Sequence, residues 1–171
     1  MIKIIKYFFE SLAIYLFFFI IKLLGLSISR NLFSIIIKNM GPLIRSRDTL
    51  KKNLNILSHK LYEQQKKEIE LNMWSNYGKT FVEYIFLNIF KKKSDHINIK
   101  NKSAIDEILK KNKPVVFISG HFSNYELMSM ELTKAKVKLA TIYRPLNNMF
   151  LNPFMEYLRK NFVCKNQIKK G

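Results

Sequence analysis

The segment Gly120-His121-Phe122-Ser123-Asn124-Tyr125-Glu126 places an acid five positions after a histidine, in a chain with three histidines and twelve acids. Five residues of regular helix turn through about 140°, so these two side chains do not share a helical face. They meet if His121 lies in a turn and Glu126 in the first turns of the following helix. The carboxylate then accepts one ring N–H and fixes the tautomer, leaving the other nitrogen to take a proton. Imidazole suits proton transfer because its ordinary pKa is near neutral. An adjacent helix amino terminus opposes a lasting positive charge on it. The alternative is that His121 caps the helix and Glu126 faces solvent.

A second group, Tyr143-Arg144-Pro145-Leu146-Asn147-Asn148, presents a guanidinium that can grip phosphate or carboxylate through two parallel bonds. Proline stiffens the loop that carries it. The alternative here is a surface arginine ahead of an ordinary turn. His59 and His96 sit in lysine-rich segments, with Gln64 and Asn101 at the offset where an acid would be needed, and read as solvated. One cysteine, Cys164, excludes an intramolecular disulfide and a cysteine-based metal cluster. Its neighbours Phe162 and Val163 mark it as a small buried residue rather than a nucleophile.

Both groups follow candidate strands. Val115-Val116-Phe117-Ile118-Ser119, behind Pro114, is apolar enough for the inside of a sheet covered by helices. His121 comes just after it, where functional loops of such sheets collect. Leu139 to Tyr143 forms a second strand, and if the two are parallel Arg144 shares an end of the sheet with His121. Helical character returns from Tyr125 to Lys134. Asn152 is expected to cap another helix with Pro153 at its first position, and Phe162 opens a possible further strand. Upstream, Ile97 and Ile99 alternate as in an edge strand. Ser103-Ala104-Ile105-Asp106 reads as a capping box for a helix lined by Ile105, Ile108 and Leu109. The order is that of an α/β sandwich.

Before this domain the pattern is helical. After Gly41-Pro42, Leu50, Leu54, Leu57 and Leu61 form a stripe opposite Lys51, Lys52 and Lys60. Past the charged run from Gln64 to Glu70, Met73, Tyr77, Phe81, Tyr84, Ile85 and Ile89 share a face expected to dock on a core. The run from Lys91 to Asp95 breaks that pattern.

Tyr7 to Ile28 reads YFFESLAIYLFFFIIKLLGLSI, with charge only at Glu10 and Lys22. Twenty-odd residues of helix cross about 30 Å of hydrocarbon, and a lysine near the end can snorkel to the headgroups. No small-x-small cleavage site follows, unlike a signal peptide. A helix lying in the membrane interface is the alternative to a span. Lys3 and Lys6 precede the segment, and Arg30, Lys38, Arg45 and Arg47 follow it, which favours a cytoplasmic remainder. The expected division is a membrane anchor over 1–30, a helical region over 31–93 and a partial α/β domain over 94–171.

The composition is 48% apolar with 14 Phe and a formal charge of +18. A/T-rich coding favours the same Lys, Asn and Ile, but a basic surface attracts anionic lipid and acidic partners whatever its origin. Nucleic acid has no support beyond charge, since zinc-finger spacing, RNA-binding aromatic pairs and basic heptads are lacking.

ISGHFSNYEL resembles the histidine-x4-acid block of the glycerolipid and lipid A acyltransferase superfamily. YRPLNNMFLNPFMEYLR resembles the arginine block that follows it in the bacterial lipid A biosynthesis (lauroyl or myristoyl transferase) branch. SRDTLKKNLNIL, YGKTFVEY and the apolar amino terminus are similar to that branch as well. The resemblance implies a glycerolipid-acyltransferase-like α/β sandwich that moves a fatty acyl group from acyl carrier protein to a hydroxyl of a lipid A precursor. The place would be the cytoplasmic face of the inner membrane. It implies His121 as general base, Glu126 as its orienting partner, and Arg144, Asn124, Asn147 and Asn148 as substrate-binding residues, with no metal, cofactor or covalent enzyme intermediate. Because members of the family continue beyond the arginine block, it also implies a chain incomplete at its carboxyl end. A separately encoded fragment would then complete it, or the chain would be an inactive remnant. A lysophospholipid acyltransferase is a further alternative, against which the YRPLNN block argues.

Overall fold

Five glycines and four prolines in 171 residues leave few helix breakers, and helix dominates. The computed structural model describes residues 2–44, 47–57, 61–93 and 95–170, without the side chains of Ile44, Arg47, Lys51 and Leu57. Arg45, His59 and Lys60 therefore lie outside the described residues. The elements are α1 (Ile2–Leu24), α2 (Leu26–Ile44), α3 (Arg47–Leu57) and α4 (Glu63–Glu83). A 3-10 turn at Tyr84–Phe86 leads to α5 (Leu87–Lys92), α6 (Lys102–Lys111) and α7 (Glu126–Lys134). Then come β1 (Ala140–Tyr143), α8 (Asn152–Leu158), a π-helical turn at Arg159–Val163, and β2 (Asn166–Lys169). The chain forms two compact units, Phe19–Ile85 and the combination of Met1–Phe18 with Phe86–Gly171.

In the first of these units, α2 and α4 run antiparallel. Arg30 Nε meets the Glu83 carboxylate at 3.0 Å, the Ser34 and Ser75 hydroxyls lie 3.1 Å apart, and Gly41 faces the Trp74 ring. Gly78 sits so close to the Phe33 carbonyl that a Cβ would overlap it. Small residues on both helices thus permit the approach. This corrects the expected docking face: Gly78 and Val82 are buried on α4, while Tyr77 and Phe81 are exposed. The crossing selects small side chains, whereas the aromatic spacing had pointed to a neighbouring face. Gly41-Pro42 falls inside the last turn of α2 rather than ahead of a helix. Leu54 is buried as the leucine stripe requires, but Leu61 lies beyond the end of α3. Gly25, with φ +79°, joins α1 to α2 in a conformation that glycine adopts without penalty.

In the second unit, Phe86, Leu87, Phe90, Met130, Leu132, Tyr143, Leu158, Val163 and Cys164 make the core. Lys134 pins α7 to the end of α5 by donating to the carbonyls of Phe90 (2.6 Å) and Lys93 (3.1 Å). β1 and β2 pair in parallel, with Ala140 opposite Asn166 and Tyr143 opposite Lys169, so the α/β character resides in a two-stranded parallel sheet. Cys164 is buried, its thiol 3.0 Å from the Leu139 carbonyl.

Several expected details differ. Val115–Ser119 is not a strand: Val116 and Ile118 are exposed, the latter 93%. Apolar composition does not make a strand without a neighbour to complete its ladder, and β1 pairs with β2 instead. Ile97 and Ile99 lie outside any strand for the same reason. Phe162 belongs to the π-helical turn, with β2 starting at Asn166. The helix expected to begin at a capping box begins earlier, with Asn101 at its cap in the left-handed region and no side-chain cap bond. Asn152 is the first residue of α8 rather than its cap. His96 is exposed, as expected of a solvated residue, with its ring against Phe90 at 4.4 Å between centroids.

Candidate functional site

His121 lies in the turn ahead of α7. Ser123, with φ +53°, reverses the chain, and the Leu127 N–H donates to the Asn124 carbonyl at 3.2 Å to start the helix. The imidazole packs on Tyr125 at 4.2 Å between centroids. Phe122 folds back over Gly120, where any side chain would overlap its ring. Glu126 opens α7 and is only 6% exposed. An acid in a first helical turn is favoured by the helix dipole, and Glu126 also takes a bond from Arg159 Nε at 2.7 Å. Both side chains of this ion pair are largely buried. The alternative reading from sequence therefore does not hold. Glu126 is not a solvent-facing acid, and the cap position of α7 belongs to Tyr125, not His121.

Arg159 is the residue of this arrangement that local spacing missed. Its guanidinium lies 5.8 Å from the Tyr143 ring centroid as well as on Glu126, a distance at which cation–π attraction operates. One side chain thus links the histidine block to the end of β1, from which Arg144 emerges. The expected link, two parallel strands sharing an edge, is absent because Val115–Ser119 is unpaired. The only sequence signal for Arg159 was its place at the end of the quoted arginine block.

The loop carrying Arg144 is braced from below. Glu156 accepts bonds from the Tyr143 hydroxyl (2.7 Å) and the Asn152 amide (2.8 Å), and pairs with Lys169 at 3.0 Å. Asn152 in turn accepts the Leu146 N–H at 2.8 Å. β1, α8, β2 and the loop therefore meet at one carboxylate. The bonds from Tyr143 and Lys169 hold Glu156 well below its ordinary 4.5, at about 2. Burial, and then the Glu156 bond, push the Tyr143 phenol up; the same carboxylate raises Lys169.

Arg144 and Asn147 are exposed, and Asn124 and Asn148 are buried. The Asn148 carboxamide is engaged inside the protein: it donates to the Tyr7 carbonyl at 2.9 Å and accepts the N–H groups of Phe150 (3.0 Å) and Leu151 (3.3 Å). Chemically, the arrangement offers an accessible imidazole in a turn, a buried carboxylate five positions on that is held by Arg159, and an exposed guanidinium on a braced loop. Among the described residues, no three His, Cys, Asp or Glu side chains gather in a group that could hold a metal ion.

One described helix, α1, is long and apolar enough to cross a membrane, with a mean hydropathy of 2.0. Only 17% of its most apolar window is buried within the protein, unlike a core helix. A family model described as bacterial lipid A biosynthesis acyltransferase matches residues 2–168. No curated protein and no solved structure matches the chain.

Proposed function

The chain belongs to the bacterial lipid A biosynthesis acyltransferase family, and on that premise we propose that it transfers a fatty acyl group from acyl carrier protein to a hydroxyl of a lipid A precursor, in lipopolysaccharide biosynthesis. The observation that carries this reading is one family match running through the apolar helix, the histidine block and the arginine block together. In the proposed reaction His121 takes the hydroxyl proton as the oxygen attacks the thioester carbonyl. The tetrahedral intermediate collapses with cleavage of the carbon–sulfur bond, and the imidazolium returns its proton to the leaving thiolate. Glu126, anchored by Arg159, favours the imidazolium that forms between these events. Arg144 and Asn147, exposed beyond β1, bind an anionic group of the lipid acceptor. Asn124 and Asn148, both buried, act by shaping the two loops.

The fold proposed for the body is a glycerolipid-acyltransferase-like α/β sandwich, of which β1 and β2 are part. Its place is the cytoplasmic face of the inner membrane. α1 supplies a weak but concordant signal for membrane attachment, and the excess of 30 Lys and Arg over 12 acids suits both anionic lipid and an acidic carrier protein. The test is acyl transfer by membranes carrying the full chain, with carrier-protein-linked and coenzyme-A-linked donors offered separately to a lipid A precursor and to lysophospholipid. Transfer from the carrier-linked donor to the lipid A precursor is the expected result. Transfer to lysophospholipid alone would replace the acceptor in this reading, and exclusive use of coenzyme A would replace the donor.

A further inference from the structure

We infer that the segment from Leu146 to Met155 enters lipid together with α1 as a single element, and so holds Arg144 in the headgroup layer. The two are joined along one stripe of α1. Asn148 donates to the Tyr7 carbonyl at 2.9 Å, and the Tyr15 hydroxyl donates to the Phe150 carbonyl at 2.8 Å. Phe8 packs edge-on against Phe150 at 5.6 Å, and Tyr15 and Phe18 flank Phe154 at 5.6 and 5.8 Å. Phe8, Ser11, Tyr15 and Phe18 recur at the three- and four-residue spacing of one helical face. The seam from Tyr7 to Phe18 covers about 16 Å of helix axis, roughly half the hydrocarbon thickness of a bilayer. A helix cannot place that length in hydrocarbon and leave the attached segment in water.

The segment itself is built for such a medium. Pro145 to Met155 contains no charged residue, in a chain where 25% of residues are charged. Met149 is 59% exposed, with Leu146 also exposed. Backbone groups in lipid need internal partners because water cannot reach them. Here Asn148 accepts the Phe150 and Leu151 N–H groups, Asn152 accepts that of Leu146, and Tyr15 covers the Phe150 carbonyl. Charge marks the boundary. Lys3 and Lys6 lie on the turns of α1 just ahead of Tyr7, the residue on which Asn148 is seated, and Arg144 begins the loop; all three are exposed. Such side chains reach the headgroups while their stems lie along apolar surface.

The inference rests on the membrane reading of α1 and not on acyl transfer. The test labels the full chain with an environment-sensitive fluorophore at Met149→Cys, with Leu16→Cys and Lys138→Cys as references. The carrier is vesicles of phosphatidylethanolamine and phosphatidylglycerol, and the unsubstituted chain is labelled in parallel to correct for buried Cys164. Met149 should behave as Leu16 does, losing most of its emission to nitroxide-bearing lipid and little to aqueous iodide, with Lys138 showing the opposite pattern. Adding Tyr15→Phe and Phe154→Ala should move Met149, but not Leu16, toward iodide. Iodide quenching at Met149 while Leu16 stays shielded overturns the inference, as does shielding from both quenchers with a cross-linked second copy over the loop. Failure of the whole chain to bind vesicles overturns it along with the membrane reading of α1. Because no turnover is read, an inactive chain with a lipid-quenched Met149 rejects only the acyltransferase reading.

Discussion

A histidine that rests on a tyrosine, five positions ahead of an acid already ion-paired, makes separate demands on its neighbours. His121→Ala is expected to lower acyl transfer by about 10²–10⁴-fold while leaving folding and membrane binding intact, checked by initial rates on membranes of matched protein content. Glu126→Gln is expected to cost both rate and stability, since it leaves the Arg159 guanidinium nearly buried against a neutral amide. Arg159→Ala removes the other half of that pair and is expected to destabilise the protein on the order of 3 kcal/mol, read from unfolding in detergent. Combining His121→Ala with Glu126→Gln should cost less than the product of their separate rate losses, because residues that act as a unit are not additive. Near-normal turnover of His121→Ala would remove it from the chemistry. At this scale the histidine and arginine blocks stood out as candidates because the features that mark them are local: a turn residue, an acid a few positions on, a guanidinium before proline. The Glu126–Arg159 contact spans 33 positions, and no periodicity encodes such a pair.

Elements respond to substitution according to what they touch. Gly78 meets the Phe33 backbone, which cannot rotate away, whereas Gly41 meets the Trp74 ring, which has rotamers to use. Gly78→Ala is therefore expected to lose about 1–3 kcal/mol through overpacking, read from unfolding in detergent. Gly41→Ala should lose less, because the Trp74 ring can turn aside while the gain in helix propensity, up to about 1 kcal/mol, is common to both sites. The opposite order would mean that α2 and α4 do not cross at Gly78. Glu156 adds a pH term to the element it braces. Its folded pKa of about 2 lies below the ordinary 4.5, so the folded state binds fewer protons than the unfolded state in that interval. The stabilisation is complete above about pH 5 and is lost as pH falls through 2. Glu156→Gln should flatten this part of the stability profile. Helices were the legible part of the fold, since each carries its hydrogen bonds within a continuous segment. Val115–Ser119 was not, because whether an apolar run becomes a strand is decided by a neighbour elsewhere in the chain. Likewise, the crossing of α2 on α4 was set by glycines that hydrophobic spacing ignores.

For the whole molecule, two attractions toward a membrane act with different dependence on salt. The formal charge of +18 gives a field that ions screen over about 10 Å at 0.1 M and about 3 Å at 1 M. The apolar exposed residues of α1, among them Phe9, Leu12, Leu16 and Phe19, act by removal from water, a term that screening does not weaken. Binding of the full chain to anionic vesicles should therefore fall as salt rises and level off, rather than reach zero. The residual should match its binding to zwitterionic vesicles. Extraction with alkaline carbonate, which disrupts electrostatic attachment, should leave the chain with the membrane pellet. Flotation of the protein with vesicles over a salt series reads both terms at once. A decline to no binding at high salt would make charge the whole attachment and leave α1 outside the hydrocarbon. Binding that ignores salt altogether would instead make the lysines irrelevant to attachment, and their excess would then reflect coding bias alone.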